Sequence, residues 1–347
     1  MSWRDRVGQA RGALASARGG HTAARTLAIS DSRSLVRSLF LASLADVGLG
    51  PALSRPRSEQ ELIDLSGCSR PERLRAWLDV GLEVGELRER SGRFAVRGRR
   101  ARAIADGDVL LTAHYRSMVE YQTGPYASLA SLLRSADDEG RTDLAEHAGT
   151  IAEVSLAAAP FIEPFLRAAI AARRPERALD VGCGTGVYSR VLLDADPLVV
   201  VEGIDLAADV VADTQARLVA AGYGNRVIVS VGDVRTWMSD SGQPFGVVTL
   251  CNNLYYFAAG ERVDLFRRLR ALLADGGELV VVSLTRPGSI ASAHLHLMLS
   301  CQDTAAALPE QGEIERALIQ AGYEIVESRM LVPTEPFVGV RARVLGS

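Results

Sequence analysis

Two textures divide the chain. Between about residues 30 and 110, apolar positions recur at helical spacing, as in "SRSLVRSLFLASLADVGL" (residues 32–49), which ends among Gly48 and Gly50. "SEQELIDLSG" (58–67) opens on a serine with a glutamate three residues later, a pairing in which each side chain caps the other's backbone amide. "SRPERLRAWLDVGLEVG" (69–85) carries Pro71 in its first turn, where the missing N–H costs nothing, with Ser69 as the expected N-cap. "ELRERSGRFAVR" alternates on both sides of Ser91-Gly92, which predicts a hairpin. Helix, helix, helix, hairpin is the outline of a winged helix. From about 108 to 172 the pattern is helical throughout, broken near Gly124-Pro125 and bent near Pro160 and Pro164, as expected of connecting helices.

From Pro175 onward, short β-branched runs alternate with helical ones, the pattern of βαβ units on a parallel sheet. The predicted strands are 177–181, 198–205, 227–233, 245–251 and 277–284. Two further runs, 324–331 and 337–345, follow a helix over 313–321 and are separated only by "VPTEP", so they should pair antiparallel. The expected organisation is an N-terminal arm and winged helix over 1–107, connecting helices over 108–172, and an α/β domain over 173–347.

Composition narrows the chemistry. The 347 residues, 48% apolar and 23% charged, suffice for two domains of an ordinary globular kind. A net charge of −3 speaks against wholesale nucleic-acid binding. Every cation is arginine, so no lysine can act as a base, form a Schiff base or ligate a P-loop phosphate. Cys68, Cys183, Cys251 and Cys301 form no CxxC pair and read as free thiols of a reducing cytoplasm. No apolar run is long enough to span a membrane, and the arginine-rich N-terminus lacks the apolar segment of a signal peptide.

The sharpest signal is "ALDVGCGTG" (178–186), a strand that stops at Asp180 and then at Gly182, Gly184 and Gly186. A glycine loop between a strand and a helix N-terminus lets a ligand approach the backbone closely. Without lysine it is not a P-loop, and Val187 stands where a dinucleotide fingerprint needs its third glycine. The spacing instead suits S-adenosylmethionine (SAM). Asp205 ends the second strand nineteen residues past Gly186, where a carboxylate can accept from both ribose hydroxyls. Asp233 ends the third strand, placed for an adenine amino group, and the polar pair Asn252-Asn253 ends the fourth.

With "GIDLA", "VGDV", "FGVVTLCNNLYYF" and "LLADGGELVVVS" in order, the chain resembles the class I SAM-dependent methyltransferases over roughly residues 175–345. The resemblance implies a Rossmann-like sheet of order 3-2-1-4-5-7-6 with strand 7 antiparallel. It implies that Asp180, Gly182, Gly184, Gly186, Asp205, Leu206, Asp233, Val234 and Asn252 hold SAM, with S-adenosylhomocysteine as product. The first half resembles the winged-helix dimerisation domain of small-molecule O-methyltransferases, which implies a homodimer, a small-molecule acceptor of secondary metabolism and methylation most readily at oxygen.

In that family a histidine after strand 4 takes the acceptor's proton. Here "LYYF" stands there, with Tyr255 in the histidine's place, and a phenol near pKa 10 is a poor base at neutral pH. Three readings stay open: an acceptor that needs no base, as a carboxylate or an amine; another side chain as base; or alignment alone. His294 and His296, two apart on a predicted helix, and His147 on a connecting helix are the candidate bases. Tyr115, Tyr121, Tyr126 and Tyr256 are candidate pocket walls. No metal site is expected. Residues 1–110 carry 19 arginines against 13 acidic residues, but the would-be recognition helix mixes Arg73 and Arg75 with Glu72, Asp79 and Glu83. That face suits burial against another subunit better than DNA.

Overall fold

The reciprocal cap at Ser58 forms: Ser58 Oγ accepts from the Glu61 amide at 3.2 Å, and the Glu61 carboxylate accepts from the Ser58 amide at 2.7 Å. The computed structural model describes residues 21–134, 156–302 and 307–344. It divides into two units, Met1–Tyr121 and Gln122–Ser347.

The first unit contains α1 (Thr22–Asp46), α2 (Gly50–Leu53), β1 (Arg57–Ser58), α3 (Glu59–Ser66) and α4 (Pro71–Glu83). There follow β2 (Leu87–Arg90), β3 (Arg93–Val96), α5 (Arg99–Ala105) and α6 (Val109–Glu120). Arg70, not Ser69, is the N-cap of α4, because Pro71 takes the first helical position and leaves Ser69 outside. Ser91 (φ 51°) and Gly92 (φ 71°) both turn left-handed between Arg90 and its partner Arg93, the two-residue turn whose twist matches its strands. The sheet order is β1-β3-β2. Leu41, Leu44, Leu62, Leu78, Leu87 and Phe94 form the core. α1 also leaves Leu27, Ile29, Leu35 and Leu39 exposed.

The second unit begins with α7 (Thr123–Leu132) and α8 (Ala159–Arg173), then alternates β4 (Arg177–Val181), α9 (Val187–Ala195), β5 (Val200–Asp205), α10 (Ala208–Leu218) and β6 (Val227–Val231). It continues with β7 (Phe245–Cys251), α11 (Arg262–Arg270), β8 (Leu273–Leu284), α12 (Ile290–Ser300), α13 (Glu313–Gln320), β9 (Tyr323–Met330) and β10 (Phe337–Val344). Seven strands run in the order β6-β5-β4-β7-β8-β10-β9, parallel except that β10 opposes both neighbours. This is the predicted topology.

Helices cover both faces, so the central strands are apolar on both sides. Leu179, Phe266 and Leu318 pack on one face, and Phe165, Leu192 and Val280 on the other. β8 begins at Leu273, earlier than predicted, because Leu273 pairs with Phe245 across a register shift. Of the described helices of residues 108–172, α6 falls in the first unit and α7 and α8 in the second. Among the described residues no helix is long and apolar enough to cross a membrane.

Candidate cofactor and acceptor site

Strands β4, β5 and β7 are in parallel register, Asp180 facing Gly203 on one side and Thr249 on the other, so their carboxyl ends meet at one sheet edge. The glycine loop lies there. Gly182 and Gly186 have φ of 64° and 77°, which L side chains rarely adopt. A Cβ at Gly182 would stand 2.3 Å from Asn253 Nδ2, and one at Gly186 2.6 Å from Thr214 Cγ2. The loop is fixed from three sides. Asn253 Nδ2 donates to the Val181 carbonyl at 2.7 Å and the Gly182 carbonyl at 3.0 Å. Thr214 Oγ1 donates to the Gly184 carbonyl at 2.6 Å. The Gly184 and Ala207 amides donate to Asp205 at 3.0 and 3.1 Å.

Asp180 is fully buried at the end of β4. Ser189 Oγ donates to it at 2.6 Å and Thr249 Oγ1 at 2.8 Å. Burial outweighs these bonds and pushes its carboxyl up to about 6.

A cavity of about 660 Å³ opens over the loop, a volume typical of small-ligand sites. Asp205 and Leu206 line one side, and Asp233, Val234 and Arg235 line the next. Cys251, Asn252 and Asn253 form the floor at the end of β7, and Tyr255, Tyr256 and Phe257 make an aromatic wall. Of the nine residues expected around SAM, seven line this cavity, while buried Asp180 and Gly186 lie outside its lining.

Two of them are arranged in ways the sequence does not announce. Both Asp233 oxygens are taken by Arg235, through Nε at 3.0 Å to each and Nη2 at 2.8 Å. These bonds hold the Asp233 carboxyl below its usual range. Asn252 is left-handed (φ 59°). Its Nδ2 donates to the Tyr188 hydroxyl at 3.2 Å, while its Oδ1 is buried and has no partner among the described residues. A buried acceptor left unpaired costs about 1–3 kcal/mol, so this oxygen asks for a donor from a ligand.

Tyr255 is buried and lies edge-on to Tyr256, ring centroids 4.8 Å apart. Leu299 and Leu295 of α12 pack in the same cluster. His294 and His296 are not in the cavity lining. His294 instead meets Tyr126 and Gln122, and His296 is half-buried, with burial and then Arg286 lowering its proton affinity. Tyr115 and Tyr121 are buried in the first unit. His147 lies outside the described residues. Sequence reasoning missed Tyr188, Thr214 and Arg235. Arg235 sits only two residues past Asp233 and could have been suspected, whereas Thr214 is one polar residue inside a helical pattern.

Residues 178–277 match the family model described as a methyltransferase domain. The match places a methyltransferase domain within the second unit. Trans-aconitate 2-methyltransferase of Streptomyces avermitilis is 28% identical over 141 residues, 41% of this chain and 50% of that protein. The chain thus spans about half the length of that curated relative. The fold extends further than the sequence likeness. The mitomycin 7-O-methyltransferase MmcR is similar over 93% of this chain and 99% of its own, with a TM-score of 0.75 and 17% identity. RosA of Streptomyces davawensis, an N,N-8-amino-8-demethyl-D-riboflavin dimethyltransferase, covers 93% and 100% with a TM-score of 0.67 and 21% identity. The fold is therefore shared by an O-methyltransferase and a methyltransferase named for an amino substrate.

Proposed function

We propose that the protein transfers a methyl group from SAM to a hydroxyl of an uncharged small molecule, of the kind made in secondary metabolism. The observation that carries this reading is the single cavity that joins the fixed glycine loop to an aromatic wall. The residues present suit SAM. The unpaired Asn252 Oδ1 is an acceptor for the methionyl ammonium, Asp205 for the ribose hydroxyls, and buried Asp180 adds negative charge beneath a cationic ligand. When bound, SAM supplies a methyl group on a sulfonium, an electrophile that needs alignment more than activation. Tyr255, Tyr256 and Phe257 shape the acceptor end and exclude water from it.

A carboxylate acceptor, as the name of the Streptomyces avermitilis relative suggests, is disfavoured by charge. Asp205, Asp233 and Glu261 line the cavity against one cation, Arg235, which Asp233 already neutralises. The test is release of S-adenosylhomocysteine with 1-naphthol, catechol and 8-hydroxyquinoline, against trans-aconitate, benzoate and tryptamine. Turnover confined to trans-aconitate and benzoate, or to tryptamine, overturns the hydroxyl reading.

We further propose that the first unit is a winged helix that pairs two copies of the chain, supported by the exposed apolar residues Leu27, Ile29, Leu35 and Leu39 on α1. Four free cysteines, three of them buried, support a cytoplasmic setting.

A further inference from the structure

Tyr255 stands where a base is expected, and no described imidazole lines the cavity. Helix α12 carries another arrangement. His294 is half-buried there, and Gln122, the N-cap of α7, and Tyr126 in its first turns close on its ring. The Tyr126 hydroxyl lies 2.9 Å from Nδ1, and Gln122 Oε1 lies 3.0 Å from Nε2. An amide oxygen only accepts, so Nε2 carries the ring's proton. Nδ1 is then a lone pair, and the phenol donates to it. The two rings are nearly parallel, at 9° with centroids 5.6 Å apart.

Burial lowers the affinity of this imidazole for a second proton, and no charged group contributes among the described residues. The ring is therefore a neutral base with its tautomer fixed. The neighbouring Leu295 and Leu299 of α12 pack with Tyr255 and Tyr256, the aromatic wall of the cavity, so the helix that carries His294 adjoins the acceptor end.

We infer that Tyr126 and His294 form the proton relay of the transfer reaction: Tyr126 meets the acceptor hydroxyl, His294 receives the proton, and Gln122 fixes the tautomer. The inference rests on the methyl-transfer reading above. As the acceptor oxygen gains its bond to carbon, its O–H bond breaks and the proton moves to the Tyr126 oxygen. The Tyr126 proton passes to His294 Nδ1, and the imidazolium keeps its Nε2–H bond to Gln122. The electron pair of the broken bond to the methyl stays on sulfur. Tyr126 is the catalytic residue, and His294 and Gln122 act through it.

The alternative is a clasp that only ties α7 to α12. His294→Gln and Tyr126→Phe separate the two, with SAM affinity by calorimetry and the melting temperature as checks of fold. With 1-naphthol, each variant should lower kcat by about 10²–10⁴-fold while KM stays within about threefold. The acidic limb of the wild-type pH profile should disappear in His294→Gln. The loss should shrink with 4-nitrophenol, which is already largely ionised at mildly alkaline pH. A kcat loss below about threefold, or equal losses with both phenols, overturns the relay. Proton–nitrogen correlation NMR of the free protein gives a readout apart from turnover. It should show His294 neutral with the proton on Nε2 at neutral pH, and a changed Nδ1 shift in Tyr126→Phe. An imidazolium or the Nδ1–H tautomer overturns the relay even where turnover is normal. Absence of S-adenosylhomocysteine with every acceptor, in wild type, would instead overturn the methyl-transfer reading.

Discussion

Asp180 should make the protein less stable at neutral pH than an amide in its place would. The carboxyl is fully buried, and burial raises it from 3.8 to about 6 despite the Ser189 and Thr249 hydroxyls. Its folded pKa lies above its unfolded one, so its stabilising contribution is complete below about pH 4 and is lost as pH rises through about 6. The full difference is worth about 3 kcal/mol, of which about 1.4 kcal/mol falls between about pH 5 and 8. Asp180→Asn keeps an acceptor for one hydroxyl and turns a donor toward the other, whose oxygen can rotate to accept. Urea unfolding of both proteins from pH 5 to 8 cancels every other titrating group. The variant should gain on the wild type by about a factor of ten in its unfolding equilibrium over that range. Identical pH dependence would refute the argument. A carboxylate kept at this cost beside the glycine loop fits a cationic ligand, so the stabilised variant should also bind SAM more weakly.

Further outcomes follow from the same geometry. Asp205→Ala should weaken SAM by an order of magnitude or more in calorimetry, because it removes both the expected ribose partner and the bond that holds the Gly184 amide. Gly182→Ala should abolish binding, since its Cβ would meet Asn253 and its φ of 64° costs about 1–2 kcal/mol outside glycine. Asn252→Gly, which tolerates the left-handed backbone, should weaken SAM markedly and leave adenosine affinity nearly unchanged. Leu35→Glu with Leu39→Glu should convert a dimer to a monomer in light scattering, without loss of helix content by circular dichroism.

The sheet was legible because its signals are local and redundant. β4, β5, β6 and β7 each carry a glycine or polar residue of the site at or just past their carboxyl ends, and "VPTEP" leaves β9 and β10 no room for a parallel crossover. The reciprocal cap at Ser58 and the turn at Ser91-Gly92 were legible for the same reason. The contacts made between distant helices were not. His294 was a candidate only as one of two histidines on a helix, and what distinguishes it is Tyr126 and Gln122, 168 and 172 residues away in sequence. Asp233 was read for an adenine, and its ion pair with Arg235 depends on a side-chain conformation that no pattern of residue types specifies. Thr214 matters through one bond to Gly184, invisible until α10 is packed against β5 and β6.

The two ends of the cavity prepare for a ligand in opposite ways. At the glycine loop, Asn253, Thr214 and Asp205 already hold the backbone in place, so a ligand arriving there pays little to order it. At the other end an arginine already grips the carboxylate, and that grip must loosen before Asp233 can serve a purine. An ion pair this exposed is weakened by salt, whereas the loop is held by hydrogen bonds and by no ion pair. Entry of the purine should therefore be the slow and salt-sensitive part of binding, and capture of the amino-acid end the fast and insensitive part.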